Sequence, residues 1–305
     1  MTVGVIDIGT NTVLLLVARV EGGRVTPLVY EQRVPRLGRG VDATGNLDPA
    51  AMARVITVLR EYAALAAPHR PAAMAVCGTS AVRDAANREL FAREILTSTG
   101  YRLEVLSGDE EALWTFRGAV SGVTAGEKFT VVDIGGGSTE IITGKGTAVG
   151  PRISLPLGSV RLTERFFRHD PPTQAELDAA ASCTEGELAR ASAFPFAGST
   201  LVGVAGTATT LALVARGLDA FDLAAVTNTP LSRAEVETLY GRLRTMSSAG
   251  ILRLSSVMAG RSDVITAGAL IARTIMTRFG FGVMTVSERG VRYGIALREA
   301  ERLSR

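Results

Sequence analysis

Cysteine, histidine and long apolar runs are scarce in this sequence, and each shortage excludes a class of protein. The two cysteines, Cys77 and Cys183, cannot build a disulfide framework, which favours a reducing compartment. The two histidines, His69 and His169, lie in turn-like contexts and do not support a zinc cluster or histidine-based catalysis. No apolar stretch approaches the about 18 residues of a membrane helix, and no signal peptide precedes the strand pattern from Val3. We therefore expect a cytoplasmic protein with no membrane partner.

An excess of one charge is also missing. The 33 basic and 30 acidic residues leave a formal charge of +3, so nucleic acid is not an expected partner. What the sequence does have is apolar material, since 47% of its 305 residues are hydrophobic and only 21% are charged. Such a chain buries a substantial core and is long enough for one large or two moderate domains.

The sequence repeats itself once. VGVIDIGTNTVLLLVARVEGGRV, from Val3, has a counterpart in FTVVDIGGGSTEIITGKGTAV, from Phe129, and VCGTSAV resembles VAGTATT further along. Asp7 and Asp133 are equivalent, and the turns at Gly78 and Gly206 follow them at nearly equal distances. Two copies of one supersecondary plan predict two similar domains, 1–124 and 125–305, with a cleft between them.

Both halves are predicted to be mixed α/β. β-branched runs broken by glycine-containing turns indicate hairpin strands, and Ala/Leu/Arg-rich segments that indicate helices follow them. The second half carries extra helical material, where Ser232 and Glu235 fit a capping box at a helix start.

The segment DIGGGST, from Asp133, predicts a phosphate cradle. Its three glycines let backbone amides approach an anion, and its two hydroxyls add donors. An isolated triple glycine is equally typical of a hairpin turn, but the duplicate DIGTNT and the turns at Gly78 and Gly206 favour a row of phosphates. The residues predicted to bind phosphate are Gly9, Thr10, Asn11, Thr12, Gly135, Gly136, Gly137, Ser138, Thr139, Gly206 and Thr207.

Carboxylates beside these turns predict a divalent cation. Asp7, Asp133 and Glu140 are hard oxygen ligands, and Mg²⁺ is held by few such groups while water and phosphate complete its shell. The alternative for the two aspartates is that each braces its own turn, and Glu140 could be a solvent-facing strand residue.

A helix is predicted after Ser107, which forms a second capping box with Glu110. Its expected apolar face consists of Leu113, Phe116 and Val120. Glu111 projects away from that face, where solvent is the usual surrounding of a helical glutamate. In a phosphoanhydride hydrolase the same carboxylate could orient a water molecule and accept its proton.

Arginines supply candidate phosphate ligands. Arg83 follows the turn at Gly78 and could neutralise charge on a transferred phosphoryl group, or it is a surface residue at a helix start. A track for a polyanion is a weaker hypothesis, because scattered arginines usually face solvent; its candidates are Arg33, Arg36, Arg39, Arg152, Arg161 and Arg165.

Seven motifs occur in order along the chain: GVIDIGTNT, RLGRGVD, GTSAVRDA, LSGDEEA, VVDIGGGSTE, VAGTATTLA and SERGVRYGIA. Together they resemble the exopolyphosphatase and guanosine pentaphosphate phosphatase family, within the actin-like, sugar-kinase and heat-shock-chaperone ATPase superfamily. The resemblance implies two duplicated ribonuclease-H-like domains with an active-site cleft between them. It also implies Mg²⁺-dependent release of orthophosphate from the end of inorganic polyphosphate, and a homodimer.

The same resemblance implies residue roles. Glu111 is the expected water-activating base and Arg83 is the expected catalytic arginine that holds substrate phosphate, while Arg292 of the last motif joins the phosphate-binding set. Asp133 and Glu140 serve the metal, with assistance from Asp7, and a monovalent cation such as K⁺ is a further candidate cofactor. Longer family members carry additional C-terminal helical domains, so the end at residue 305 leads us to expect a preference for shorter polyphosphate chains.

Three other functions stay open. Hydrolysis of guanosine pentaphosphate shares the terminal-phosphate chemistry and the same residues. A kinase of the superfamily would need an acceptor site, and Glu111 argues against it. A phosphate or nucleotide sensor without turnover would need only the cradles.

Overall fold

The computed structural model describes residues 1–123 and 126–304, and within them the chain forms eleven strands. In chain order they are β1 (Thr2–Ile8), β2 (Val13–Glu21), β3 (Arg24–Arg33), β4 (Met74–Gly78), β5 (Leu103–Val105), β6 (Lys128–Ile134), β7 (Thr139–Lys145), β8 (Ala148–Leu155), β9 (Thr200–Val204), β10 (Thr229–Ser232) and β11 (Val283–Val286).

Thirteen α-helices accompany the strands in the same described ranges. They are α1 (Val41–Thr44), α2 (Pro49–Ala66), α3 (Ser80–Asp84), α4 (Arg88–Thr99), α5 (Gly108–Val120), α6 (Ser159–Phe166), α7 (Gln174–Leu188), α8 (Ala205–Ala215), α9 (Leu223–Val226), α10 (Arg233–Leu243), α11 (Ser248–Leu252), α12 (Ile265–Arg278) and α13 (Val291–Leu303). Both predicted capping boxes are present, at the starts of α5 and α10. None of these helices combines the length and hydropathy needed to cross a membrane.

The chain divides into two compact units. The first comprises Met1–Ser121 and Val291–Arg305, and the second comprises Gly122–Gly290. The predicted boundary between residues 124 and 125 lies outside the described residues. The predicted extent of the second domain, to residue 305, differs from the structure because α13 packs on α5 and β1 of the first unit.

The first unit contains one five-stranded sheet in the order β3-β2-β1-β4-β5. β1, β2 and β3 are antiparallel neighbours, as the short glycine-containing turns between them require, whereas β4 and β5 run parallel to β1. Side chains alternate across β1, so Ile6 and Ile8 join a core with α2 and α4, while Val3 and Val5 join a core with α13. Asp7 therefore lies on the α13 face of the sheet.

The second unit repeats this plan within a six-stranded sheet, β10-β11-β9-β6-β7-β8. Its strands β8, β7, β6, β9 and β11 correspond in order and direction to β3, β2, β1, β4 and β5, which confirms the duplication. The register pairs Asp7 with Cys77 and Asp133 with Val204, so Gly78 corresponds to Ala205. The predicted equivalence of Gly78 with Gly206 is therefore wrong by one residue.

Candidate active site

Asp7 ends the buried part of β1 in the first unit. It is 8% exposed, and burial raises its pKa to about 7; the charge of Arg292 lowers that pKa and the charge of Glu111 raises it. These influences mean that Asp7, Glu111 and Arg292, which are far apart in sequence, lie within electrostatic reach of one another. The α13 face of the first sheet thus carries a group of charged side chains otherwise surrounded by apolar core.

Glu111 and Arg83 form an ion pair inside the first unit. Arg83 Nη1 donates to Glu111 Oε2 and to the carbonyl oxygen of Leu106, at 2.8 and 2.9 Å. The Glu111 side chain is 9% exposed and that of Arg83 is 22% exposed. Burial raises the pKa of Glu111, and the Arg83 guanidinium opposes this rise by favouring the carboxylate. A glutamate in this state is a better proton acceptor than an exposed one.

The burial of Glu111 corrects the helix face predicted from sequence. The buried residues of α5 include Glu111, Ala112, Thr115, Phe116 and Ala119, whereas Leu113 and Val120 are only partly buried. The reason is the close approach of α13, which covers a wider arc of α5 than an amphipathic pattern predicts. A Cβ built on Gly294 of α13 would lie 1.9 Å from the carbonyl oxygen of Trp114.

The loop Gly9–Thr12 follows β1 as a tight turn in which the Gly9 amide donates to the carbonyl oxygen of Thr12 at 2.9 Å. Thr10 and Asn11 are buried, because a later loop covers them and the Gly38 amide donates to the Thr10 carbonyl. Gly38 has no room for a side chain there, since a Cβ would lie 2.3 Å from Thr10 Cγ2.

The loop Gly135–Ser138 is the same turn in the second unit, with the Gly135 amide donating to the carbonyl oxygen of Ser138 at 3.0 Å. Its carbonyl groups are engaged: Ser159 and Val160 amides donate to Gly135 and Gly136, and the side chain of Arg161 donates to Gly137. In the described ranges, the amides of Gly136 and Gly137 donate to no backbone carbonyl. The loop therefore directs its carbonyl acceptors into the protein and leaves these two amides without a backbone acceptor among the described residues.

Asp133 and Glu140 are directly opposite each other on β6 and β7, so their side chains share one face of the second sheet. Glu140 is 1% exposed and accepts a hydrogen bond of 2.6 Å from Ser154, its partner on β8. Within residues 1–123 and 126–304, no group of three or more His, Cys, Asp or Glu side chains suited to a metal ion occurs. The two carboxylates fit Mg²⁺ by their chemistry, because this ion needs only one or two protein carboxylates.

Comparison with known proteins settles the family. Residues 16–303 match the family model of the Ppx/GppA phosphatase family. The chain belongs to this family. Exopolyphosphatase 2 of Mycobacterium tuberculosis is 40% identical to it over 311 residues, which cover 97% of each chain. Among solved structures, an exopolyphosphatase-like protein is 34% identical with a TM-score of 0.95, over 100% of this chain and 99% of that one. The Aquifex aeolicus member of the Ppx/GppA family is 30% identical with a TM-score of 0.85, over 100% of this chain and 99% of its own.

Two residues predicted to bind phosphate have packing roles in this Ppx/GppA family member. Thr139 is fully buried and its hydroxyl donates to the carbonyl oxygen of Leu157 at 2.5 Å. Thr207 packs against α12, where a Cβ on Gly268 would lie 2.7 Å from Thr207 Cγ2. The donor of the Thr139 hydroxyl is thus engaged inside the protein, whereas phosphate binding by the Thr207 hydroxyl stays a prediction.

Sequence analysis missed Arg261, whose guanidinium lies against Gly206. A Cβ at Gly206 would lie 1.9 Å from Arg261 Nη1, so the glycine admits the guanidinium to the start of α8. The sequence carries no direct signal of this contact; in the structure, Gly206 has no left-handed backbone conformation, and such a glycine indicates close approach by another group. Arg33 does not fit the predicted arginine track, because its side chain forms ion pairs with Glu31 and Glu61.

Proposed function

We propose that this Ppx/GppA family member is an exopolyphosphatase, which hydrolyses the terminal phosphoanhydride of inorganic polyphosphate and releases orthophosphate. The observation that carries the proposal is the buried pair of Glu111 and Arg83, which combines a proton acceptor of raised pKa with a fixed cation. The 40% identical relative named Exopolyphosphatase 2 supports polyphosphate as the substrate. We also propose that shorter chains are preferred.

In the proposed reaction, Glu111 accepts a proton from a water molecule whose oxygen attacks the terminal phosphorus. The bond from that phosphorus to the bridging oxygen breaks, and the leaving chain keeps the bridging oxygen and its electron pair. Arg83 has two tasks: it keeps Glu111 ionised before the reaction, and its guanidinium neutralises charge on the phosphoryl oxygens. The amides of Gly136 and Gly137 are proposed as further donors to phosphate oxygens of the substrate.

Magnesium is part of the proposal. Asp133 and Glu140 would hold the ion, with Asp7 as a further carboxylate, and bound Mg²⁺ would offset the negative charge of the phosphates. Ser154 fixes one Glu140 oxygen and therefore the direction of the other. A stimulating monovalent cation such as K⁺, a homodimer and a cytoplasmic location belong to the same proposal; metal depletion, light scattering and cell fractionation test them.

The second candidate function is hydrolysis of guanosine pentaphosphate at its terminal 5′ phosphate. The family description covers both classes of phosphatase, and the chemistry at the terminal phosphorus is identical. The two substrates differ only beyond the third phosphate, where one continues as a polyanion and the other carries a nucleoside. Glu111 and Arg83 therefore do not discriminate between them.

A substrate panel tests the proposal. Orthophosphate release is measured with polyphosphates of defined length, guanosine pentaphosphate and ATP, each with Mg²⁺ and after chelation, and with Glu111→Gln as the matched control. The proposal predicts the highest kcat/KM for a polyphosphate, dependent on Mg²⁺ and on Glu111. Preference for guanosine pentaphosphate would instead assign the alternative, and binding without phosphate release from any substrate would indicate a sensor.

A further inference from the structure

Tyr30 belongs to none of the seven motifs, yet it touches one of the charged residues of the first unit. It lies on β3 opposite Leu16 of β2, close to a bulge that leaves Leu28 without a partner, since Val17 pairs with Val29 and Ala18 with Pro27. Bulges of this kind redirect side chains and are common beside active sites. The partly buried ring packs against the core on the α13 face of the sheet.

Tyr30 holds Arg292 in two ways. Its hydroxyl accepts a hydrogen bond of 2.9 Å from Arg292 Nη2, and its ring lies under the guanidinium with 4.5 Å between the ring centroid and Cζ. The hydrogen bond fixes the rotation of the guanidinium, and the ring fixes its plane. Arg292 itself is only 5% exposed, in the first turn of α13.

The other end of the guanidinium is unsatisfied. Arg292 Nη1 is buried and has no hydrogen-bond partner among the described residues, and the same is true of Asp7 Oδ1. The two groups attract each other electrostatically. Buried polar atoms without partners are rare in folded proteins, and at a functional site they indicate the position of a ligand. Nη1 can only donate, so the missing group must offer an acceptor oxygen.

We propose that Tyr30 is a positioning residue, which holds the guanidinium of Arg292 so that Nη1 donates to an oxygen of bound phosphate. The inference rests on the proposed function, which supplies the phosphate. A tyrosine suits the task because it is neutral: its hydroxyl accepts the hydrogen bond from Nη2 without cancelling the positive charge that Nη1 presents. A carboxylate in its place would fix the guanidinium equally well but would neutralise it toward an anionic substrate.

The competing explanation is that Tyr30 has only a structural role and packs α13 against β3. Tyr30→Phe keeps the ring under the guanidinium and removes the hydroxyl alone. Tyr101→Phe is the matched control, because Tyr101 is a partly buried tyrosine of the same unit that packs on the opposite core. Arg292→Lys keeps the charge and removes the fork, and the double variant Tyr30→Phe/Arg292→Lys shows whether the two residues act as one.

The experiment measures kcat and KM for tripolyphosphate, inhibition by orthophosphate, and the shift in melting temperature that tripolyphosphate causes. We expect Tyr30→Phe to raise KM about tenfold and to weaken orthophosphate inhibition equally, with kcat changed less than about threefold. Tyr101→Phe should match the wild type. The double variant should be no worse than Arg292→Lys, because lysine offers no fork for Tyr30 to position.

An unchanged KM in Tyr30→Phe overturns the proposal, and so do losses that multiply in the double variant. A lower melting temperature together with wild-type KM and wild-type inhibition by orthophosphate assigns Tyr30 the structural packing role alone. If the wild type releases no phosphate, the proposed function fails separately, and the thermal shift still decides the role of Tyr30. The positioning role is supported if tripolyphosphate does not shift the melting temperature of Tyr30→Phe but still shifts that of Tyr101→Phe. Equal shifts in the two variants, or no shift in the wild type, refute it.

Discussion

Two adjacent glutamates on α5 have opposite surroundings, and exchanging each for glutamine tests the assigned base. Glu111 is buried beside Arg83, whereas Glu110 is exposed and caps the helix through Ser107. A positioned general base contributes about 10²- to 10⁴-fold to a rate. Glu111→Gln should therefore lower kcat by that factor, which corresponds to about 3 to 5 kcal/mol of transition-state stabilisation. Glu110→Gln should retain wild-type kcat, because glutamine also completes a capping box.

The two variants should also differ in the sign of their effect on stability. Burial raises the pKa of Glu111 above its unfolded value, so its favourable contribution is complete at low pH and is lost as pH rises through the raised pKa. Hydrogen bonds from Ser107 lower the pKa of Glu110, so its contribution is present at neutral pH and is lost as pH falls through the lowered pKa. Relative to the wild type, Glu111→Gln should gain melting temperature as pH rises through the raised pKa of Glu111, and Glu110→Gln should lose it at neutral pH.

The assay combines orthophosphate release from tripolyphosphate with thermal unfolding across the same pH range. A Glu111→Gln rate within about tenfold of the wild type would refute the assignment, because so small a loss of rate lies below the contribution of a general base. An equal loss of kcat in Glu110→Gln would refute it differently, by showing that any change to this turn of α5 disturbs the site. A lower melting temperature for Glu111→Gln at neutral pH would contradict the balance of burial and ion pairing.

Three further substitutions probe the neighbouring elements. Arg83→Ala should raise the pKa of Glu111 further and move the acidic limb of the pH–rate profile to higher pH; an unmoved limb would separate the two residues. Gly158→Ala should cost about 1 to 3 kcal/mol in urea unfolding and raise KM, because its Cβ would lie 2.3 Å from a carbonyl oxygen of the glycine-rich loop. Gly186→Ala, on open helix surface, should instead stabilise by about 0.5 to 1 kcal/mol, and equal effects of the two would contradict the packing argument. Ser154→Ala should raise the Mg²⁺ concentration for half-maximal activity about 10- to 100-fold at similar kcat, and an unchanged titration would remove Ser154 from metal positioning.

Local chemistry was predictable from the sequence where neighbours in the chain create it. The capping boxes at Ser107 and Ser232 follow from residues three apart, and both are formed. The turns after Asp7 and Asp133 follow from glycine and small polar residues, and their equivalent hydrogen bonds confirm that the halves share one plan. These features need no knowledge of distant elements.

Distant packing decided the features that the sequence did not predict. The pattern of α13 does not say which sheet it covers, so Arg292 was assigned to the second domain although α13 lies in the first unit. The buried arc of α5 depends on how closely α13 approaches, which is set by the absence of a side chain at Gly294. The hydroxyl of Thr139 likewise donates to the segment that packs over it.

The contrast between Glu110 and Glu111 shows how a site can be built at low structural cost. Glu110 stabilises the start of α5 through its capping bonds, and the next residue is thereby fixed in a rigid first turn. Helix geometry rotates that residue by about 100°, from solvent into the protein interior. There, burial makes Glu111 a stronger base but destabilises its charged form in the folded protein. The ion pair with Arg83 reduces this destabilisation. A melting temperature that rises when Glu111 is replaced, while turnover is lost, would be the expected sign of a carboxylate retained for chemistry rather than for folding.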